Sequence, residues 1–184
     1  MNKAKKDIIN WCGQVGEAIV PAELSEGFVE KITQLRQSVE QQELLVPVVG
    51  SFSSGKSTLI NKIIGDNILP TAITPETSLA TELRYSTEQG IEAVKEDGSI
   101  TRFDVSEIQK VSEDAAKYSF VRLYLDSAKL KDLEPLVLVD MPGFDSPLDA
   151  HNKAIMNYIN RGSHYVVLAS VQEGTVSKSL LRRI

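Results

Sequence analysis

Between Leu44 and Gly65 an unbroken apolar run, a glycine-bounded polar loop and a helical apolar pattern succeed one another without a gap. Leu44-Leu45-Val46-Pro47-Val48-Val49 is short, continuous and rich in branched residues, which predicts a buried strand. Gly50-Ser51-Phe52-Ser53-Ser54-Gly55-Lys56-Ser57 comes next and meets every fixed position of G-x-x-x-x-G-K-[S/T]. From Thr58 to Ile64, Leu59, Ile60, Ile63 and Ile64 recur at helical spacing, and Gly65 stands where the helix should stop. Strand, loop and helix in that order are the context that the motif demands.

The residue types say what such a loop can hold. Gly50 and Gly55 permit backbone angles that turn consecutive N–H groups inward, and the helix after them adds the positive end of its dipole. Together they make a cradle for phosphate oxygens. Lys56 is placed to reach β- and γ-phosphates, and the Ser57 hydroxyl to ligate Mg2+. The candidate nucleotide-binding residues are Gly50, Ser51, Ser53, Ser54, Gly55, Lys56, Ser57 and Thr58. An ordinary Gly/Ser-rich turn before a helix is the plainer reading, but it gives no reason for a lysine and a hydroxyl at these positions. The implied fold is α/β, of the P-loop NTPase kind, with three layers and a mostly parallel central sheet.

The totals remove other classes. A chain of 184 residues with 42% hydrophobic and 24% charged content suits a globular protein with one sizeable core. A net charge of -5 leaves no basic surplus for nucleic acid. Cys12 is the one cysteine and cannot form an internal disulfide, so it reads as a small buried hydrophobe. Without a secretory leader or a long apolar run, the expected location is cytoplasmic. The two histidines, His151 and His164, lie outside any zinc-ligand spacing and read as structural or solvent-facing. No G-x-S-x-G elbow is present, which argues against a serine hydrolase of that type.

Before the first strand, Ile8, Cys12, Val15 and Ile19, then Leu24, Phe28, Ile32, Leu35 and Val39, recur at three- and four-residue steps. Each set predicts a one-sided helix, with Pro21 breaking the two. A helix ahead of the first strand is extra to a minimal nucleotide fold. Residues 1–43 are therefore expected to be one arm of a helical bundle rather than a pair packed on the nucleotide domain, which is assigned 44–184.

Asp66 to Ser78 holds two prolines and four hydroxyl residues and predicts a loop, in the place of a first switch. Thr71, Thr74 and Thr77 could each supply a hydroxyl to Mg2+, and spacing does not choose among them. Strands are expected over Leu79–Ser86, Ile91–Lys95 and Ser99–Phe103, with Asp97-Gly98 as a hairpin signal between the last two. A helix is expected over Val105–Tyr118, capped by Asp104 or Ser106, and a half-exposed strand over Phe120–Leu125. Leu136-Val137-Leu138-Val139 then delivers Asp140 at a strand's carboxyl end, with Gly143 three residues on. Ligands gather at such ends in α/β sheets. Asp140 is the candidate Mg2+ carboxylate, and the Gly143 N–H the candidate contact to the γ-phosphate. Ser146-Pro147 opens a further helix that Gly162 stops; His164–Ala169 predicts another buried strand, and Ser177–Ile184 a helix start.

Taken together, Gly50 to Ser57, Leu69-Pro70-Thr71 with Pro75-Glu76-Thr77, and Asp140-Met141-Pro142-Gly143 resemble the dynamin family of large GTPases, especially its bacterial members. The likeness runs from about Val46 to the end of the chain. It implies a G domain on a helical neck, with GTP and Mg2+ as ligands. It selects Thr77 as the first-switch threonine, which adds Thr77 to the metal set of Ser57 and Asp140 and to the catalytic set with Lys56 and Ser53. Ser53 matches the family's loop serine, which helps bind a charge-compensating monovalent cation when two G domains pair across the nucleotide. The resemblance also implies a homodimer through that face and work at a membrane by parts outside this chain.

The chain departs from the family at two places. Phe52 stands where eukaryotic dynamins carry a catalytic glutamine, and an apolar ring cannot orient water. Nor does the guanine-selecting [N/T]-K-x-D tetrapeptide occur, so the chain reads as the front part of a G domain, ending before that motif. A nucleotide-gated switch with little hydrolysis, or an ATPase with the same phosphate site, are the alternatives.

Overall fold

The computed structural model describes residues 3–19, 26–51, 53–69, 79–143, 158, 162 and 164–169. The chain divides into two compact units: Met1–Glu43 with Leu133–Pro135, and Leu44–Asp132 with Leu136–Ile184.

In the first unit, helix α1 spans Lys3–Ile19 and α2 spans Glu26–Glu40. The two pack together, and Lys5 Nζ donates to the carbonyls of Glu40 (2.8 Å) and Gln42 (3.3 Å) at the far end of α2. A cation suits the negative end of a helix. Cys12 is buried as its pattern predicts. Ile8, Phe28 and Leu35, from the same predicted apolar faces, are exposed, as is Trp11. Pro21 lies outside the described residues.

Among the described residues the second unit is built on a sheet of seven strands in the order β4-β3-β5-β2-β6-β1-β7. Its strands are β1 (Leu44–Gly50), β2 (Ala80–Tyr85), β3 (Gly90–Val94), β4 (Ile100–Phe103), β5 (Phe120–Leu125), β6 (Leu136–Asp140) and β7 (Val166–Leu168). The sheet is mixed. β6, β1 and β7 run parallel, as do β2 and β5, whereas β2 meets β6, and β3 meets both β5 and β4, in antiparallel fashion. The parallel trio is the part that carries the phosphate loop. Its central strand is buried from Leu45 to Gly50, which is why β1 reads as a continuous apolar run and not as an alternation. Pro47 lacks a ladder donor, and β7 begins to pair with β1 only at Val48.

Helix α3 (Lys56–Ile64) comes after the loop and ends where Gly65 takes a left-handed φ of 82°. Its buried Ile60 and Ile64 are two of the residues that set the apolar pattern. Leu45, Val49, Ala80, Val137, Val139, Met141 and Tyr158 form one core cluster, with Phe120 packed against it. The Phe120 and Tyr158 rings meet edge to face at 6.1 Å.

Two expectations are corrected, and one element was not foreseen. The helix predicted over Val105–Tyr118 is broken into a 3-10 turn (Val105–Glu107), a short α4 (Ile108–Glu113) and a second 3-10 turn (Ala115–Lys117). Only Val111 is buried in this stretch, so no apolar stripe sustains a longer helix. Asp104 does cap it, in a reciprocal box with Glu107. β7, expected to be buried, is the last strand of the sheet among the described residues, with Val166 and Val167 exposed. Helix α5 (Ala128–Leu133) is unforeseen, because two leucines in six residues make too short a pattern. Of the helix predicted from Ser146, only Tyr158 is described; Gly162 N–H donates to its carbonyl at 2.8 Å. The predicted start at Ser177 lies outside the described residues, as does His151; His164 is exposed.

One buried charge is held on β2. Glu82 is fully buried, accepts from Tyr158 Oη at 2.7 Å, and is paired with Arg84 at 2.8 Å and Arg122 at 3.5 Å. Burying a carboxylate is tolerable only with such partners. On β3, Glu92 continues the polar seam to Arg102, Arg122 and Tyr124.

Candidate phosphate and metal site

The register that pairs Val48 with Asp140 brings the end of β1 and the end of β6 to the same edge of the sheet. Both predicted motifs therefore open at one place. On the other side of β6, Asp140 lies opposite Thr81 of β2.

The loop's geometry explains its glycines, though not both in the expected way. Gly55 has φ 89°, where a side chain would be strained. Gly50 is not in that region; its constraint is space. A Cβ there would lie 2.5 Å from Ser54 Oγ and 2.6 Å from the Leu168 carbonyl of β7. Ser53 takes the second left-handed position at φ 57°, a conformation that costs a non-glycine residue about 1 kcal/mol. Alternating backbone of this kind turns successive N–H groups toward one point. Gly50→Ala is accordingly expected to push the loop off β7. Thermal unfolding should show a loss of about 1–3 kcal/mol, and nucleotide titration a weaker complex. Wild-type affinity in that variant would mean that the loop's seat on β7 is irrelevant.

α3 begins at Lys56, and no side chain caps it, so its first-turn amides remain directed at the loop. Lys56 is buried, with Nζ donating to the carbonyls of Ser51 (2.8 Å) and Gly50 (3.3 Å). The ammonium thus lies inside the ring of the loop. Ser51 is buried, Ser53 and Thr58 are exposed, and Ser54 Oγ is buried without a hydrogen-bond partner among the described residues.

Ser57 Oγ donates to Asp140 Oδ2 at 2.7 Å, joining the two motifs directly. Asp140 is 1% exposed, and its Oδ1 is buried with no hydrogen-bond partner among the described residues. Burial pushes the carboxyl up to about 6, against the opposing pull of the Ser57 hydroxyl and the Lys56 charge. A buried carboxylate oxygen without a partner beside a serine hydroxyl is an all-oxygen donor set. It fits a hard divalent cation that keeps most of its ligands as water and phosphate. Among the described residues no cluster of three or more His, Cys, Asp or Glu offers a fuller cage. Gly143 closes the buried run Met141–Gly143. Phe52, Thr71, Thr74 and Thr77 lie outside the described residues.

One residue of this region belongs to no motif that the sequence displays. Asn61, buried on α3, holds the backbone of Leu69 through both ends of its amide. A polar residue inside an apolar helical pattern was the available signal.

The chain is similar in sequence to several known proteins. The chain is 29% identical over 130 residues to dynamin-like protein 2 of Campylobacter jejuni, covering 67% of this chain and 21% of that one. It is 28% identical over 159 residues to a bacterial dynamin-like protein of Nostoc punctiforme, covering 73% and 21%. An uncharacterised protein of Caldicellulosiruptor is 27% identical over 173 residues, covering 89% and 42%. The chain thus spans less than half the length of these curated relatives. A solved structure described as an oligomerised bacterial dynamin pair matches with TM-score 0.48 and 26% identity, covering 66% of this chain and 20% of that one. Residues 46–183 match the model of the dynamin family, and the chain belongs to that family.

Proposed function

We propose that residues 44–184 bind GTP with Mg2+ and hydrolyse its terminal phosphate, water attacking the γ-phosphorus in line. The observation that supports this reading is the Ser57–Asp140 hydrogen bond, a hydroxyl and a carboxylate that could serve a metal, at the start of α3 beside Lys56. Loop amides and the α3 terminus would take phosphate oxygens, and Lys56 would exchange its two loop carbonyls for β- and γ-oxygens. Ser57 and Asp140 would hold Mg2+, with Thr77 as a further ligand and Gly143 N–H at the γ-phosphate. When bound, the metal would neutralise charge on the β- and γ-oxygens. The protein adds placement and fixed charge.

In the same reading Ser53 serves a monovalent cation when two copies pair through their nucleotide faces. Residues 1–43 act as one arm of a helical bundle. The protein is cytoplasmic and works at a membrane surface as part of a longer molecule. No helix among the described residues is long and apolar enough to cross a bilayer. Phe52 favours slow basal turnover that rises on pairing.

Phosphate release from GTP, with Mg2+ or with chelator and over a range of protein concentrations, tests the proposal. Release should require the metal and accelerate with concentration. Unlabelled ATP should fail to displace labelled GTP. Displacement by ATP at equal concentration, together with phosphate release from ATP, would make the site an ATPase. Tight GTP binding without release at any concentration would favour a nucleotide-gated switch, the reading that the apolar Phe52 supports.

A further inference from the structure

Asn61 lies one helical turn beyond Ser57 on α3, and it is 3% exposed. Its Nδ2 donates to the Leu69 carbonyl at 2.8 Å, and its Oδ1 accepts from the Leu69 N–H at 3.0 Å. A side-chain amide carries donor and acceptor together, so one residue can grip both polar groups of a single backbone unit. Leu69 belongs to no regular element: α3 has ended at Ile64, and β2 has not begun. Its side chain is buried as well, at 4% exposed. Asn61's own carbonyl accepts the Gly65 N–H that closes the helix, so this residue governs both the end of α3 and the chain beyond it.

Immediately after Leu69 the chain runs from Pro70 to Ser78, a stretch that holds Thr71, Thr74 and Thr77. Past that stretch lies β2, where Thr81 is opposite Asp140. Its two flanks are thus fixed to the elements that carry Ser57 and Asp140. A buried asparagine used only to satisfy a connector would serve stability and nothing else. The placement here, between the phosphate-loop helix and the threonine-bearing stretch, points further.

We infer that Asn61 is a positioning residue: by clamping the Leu69 backbone to α3, it sets where the threonine-bearing stretch starts relative to the bound triphosphate. The inference rests on the nucleotide reading of the site. Asn61 acts through Leu69 and itself touches no phosphate. A diphosphate held by the loop alone should not notice the clamp. Discrimination of tri- from diphosphate, and turnover, should.

The test compares the wild-type chain with Asn61→Ala, which removes both bonds, and Asn61→Asp, which keeps the acceptor but sets an oxygen against the Leu69 carbonyl. Three measurements are made: hydrogen exchange at the Leu69 amide, titration with GDP and with a non-hydrolysable GTP analogue in Mg2+, and phosphate release. In Asn61→Ala, Leu69 should exchange about tenfold faster while the amides of β1 keep their protection. GDP affinity should hold, the preference for triphosphate should fall, and kcat should drop about 10–100-fold. Unchanged kcat with a freed Leu69 amide would reduce the clamp to a structural role and overturn the inference. Equal loss of GDP and analogue affinity would overturn it too, by making Asn61 a support for the phosphate loop. If Asn61→Ala does not fold, Asn61→Asp is judged by the same readouts, and failure of both to fold also counts against it. A wild-type chain that neither binds GTP nor releases phosphate rejects the parent reading, whereas wild-type turnover with undiminished variants rejects only this one.

Discussion

Replacing Lys56 with alanine is expected to abolish phosphate release, with a loss of about 10²–10³-fold or more. The ammonium is the only side-chain charge that the loop brings to the β- and γ-oxygens in the proposed complex, and nothing else in G-x-x-x-x-G-K-S can replace it. Its present bonds to the Gly50 and Ser51 carbonyls add a second effect. Removing them strips two inward carbonyls of a charged donor, which costs about 1–3 kcal/mol of stability in the nucleotide-free protein. Phosphate release and a thermal melt, run on the same preparations, separate the two. Equal release rates in the variant and the wild type would reject hydrolysis at this site.

The second large effect has opposite signs in the free and the loaded protein. Burial pushes the Asp140 carboxyl up to about 6, above the ordinary carboxyl value of 3.8. Between those values the unfolded chain has released its proton while the folded one still holds it. Stability therefore falls as pH rises through this window, and the full penalty, about 3 kcal/mol, is present above pH 6. Asp140→Asn removes the charge and keeps an acceptor for the Ser57 hydroxyl. In the absence of metal and nucleotide, the variant should melt higher than wild type at pH 7.5, and the advantage should shrink to nothing as pH falls below about 4. In the presence of Mg2+ and GTP the order should reverse, because the amide cannot serve the cation as a carboxylate does, and turnover should be lost. A variant that is less stable than wild type in metal-free buffer at pH 7.5 would show that the Asp140 charge is compensated by something other than a bound ion.

Much of this could be read from the amino acids, for identifiable reasons. β1 is apolar up to Gly50 and β6 up to Asp140, the residues at which the two motifs begin, so their limits come from pattern and motif alone. β5 alternates strictly and was legible to the residue. The broken helix around Val111 and the short α5 were not, since six-residue helices are decided by tertiary contacts and caps rather than by periodicity. Gly50 was legible as a glycine but not for its reason, because the nearby Leu168 carbonyl comes from a strand more than a hundred residues away. Asn61 shows the limit most clearly. Its partner is a backbone, which has no sequence of its own to read. The family likeness rested on Leu69-Pro70 and Asp140-Met141-Pro142-Gly143 more than on the phosphate loop, and residues 46–183 do match the dynamin family.

The polar seam through Glu82 and Glu92 makes the two halves of the sheet answer to different solvents. β6 and β1 are buried along most of their length among apolar residues, and added salt does not weaken apolar burial. From β2 outward, charged contacts run from fully enclosed Glu82 to Arg102, whose side chain is 83% exposed. Screening reaches the outer pairs first and the inner one hardly at all. Rising ionic strength should therefore release the exposed Arg102 from Glu92 first, while the Glu82 cluster and the buried Leu83, Ile91 and Leu123 hold the sheet together and the phosphate loop stays seated.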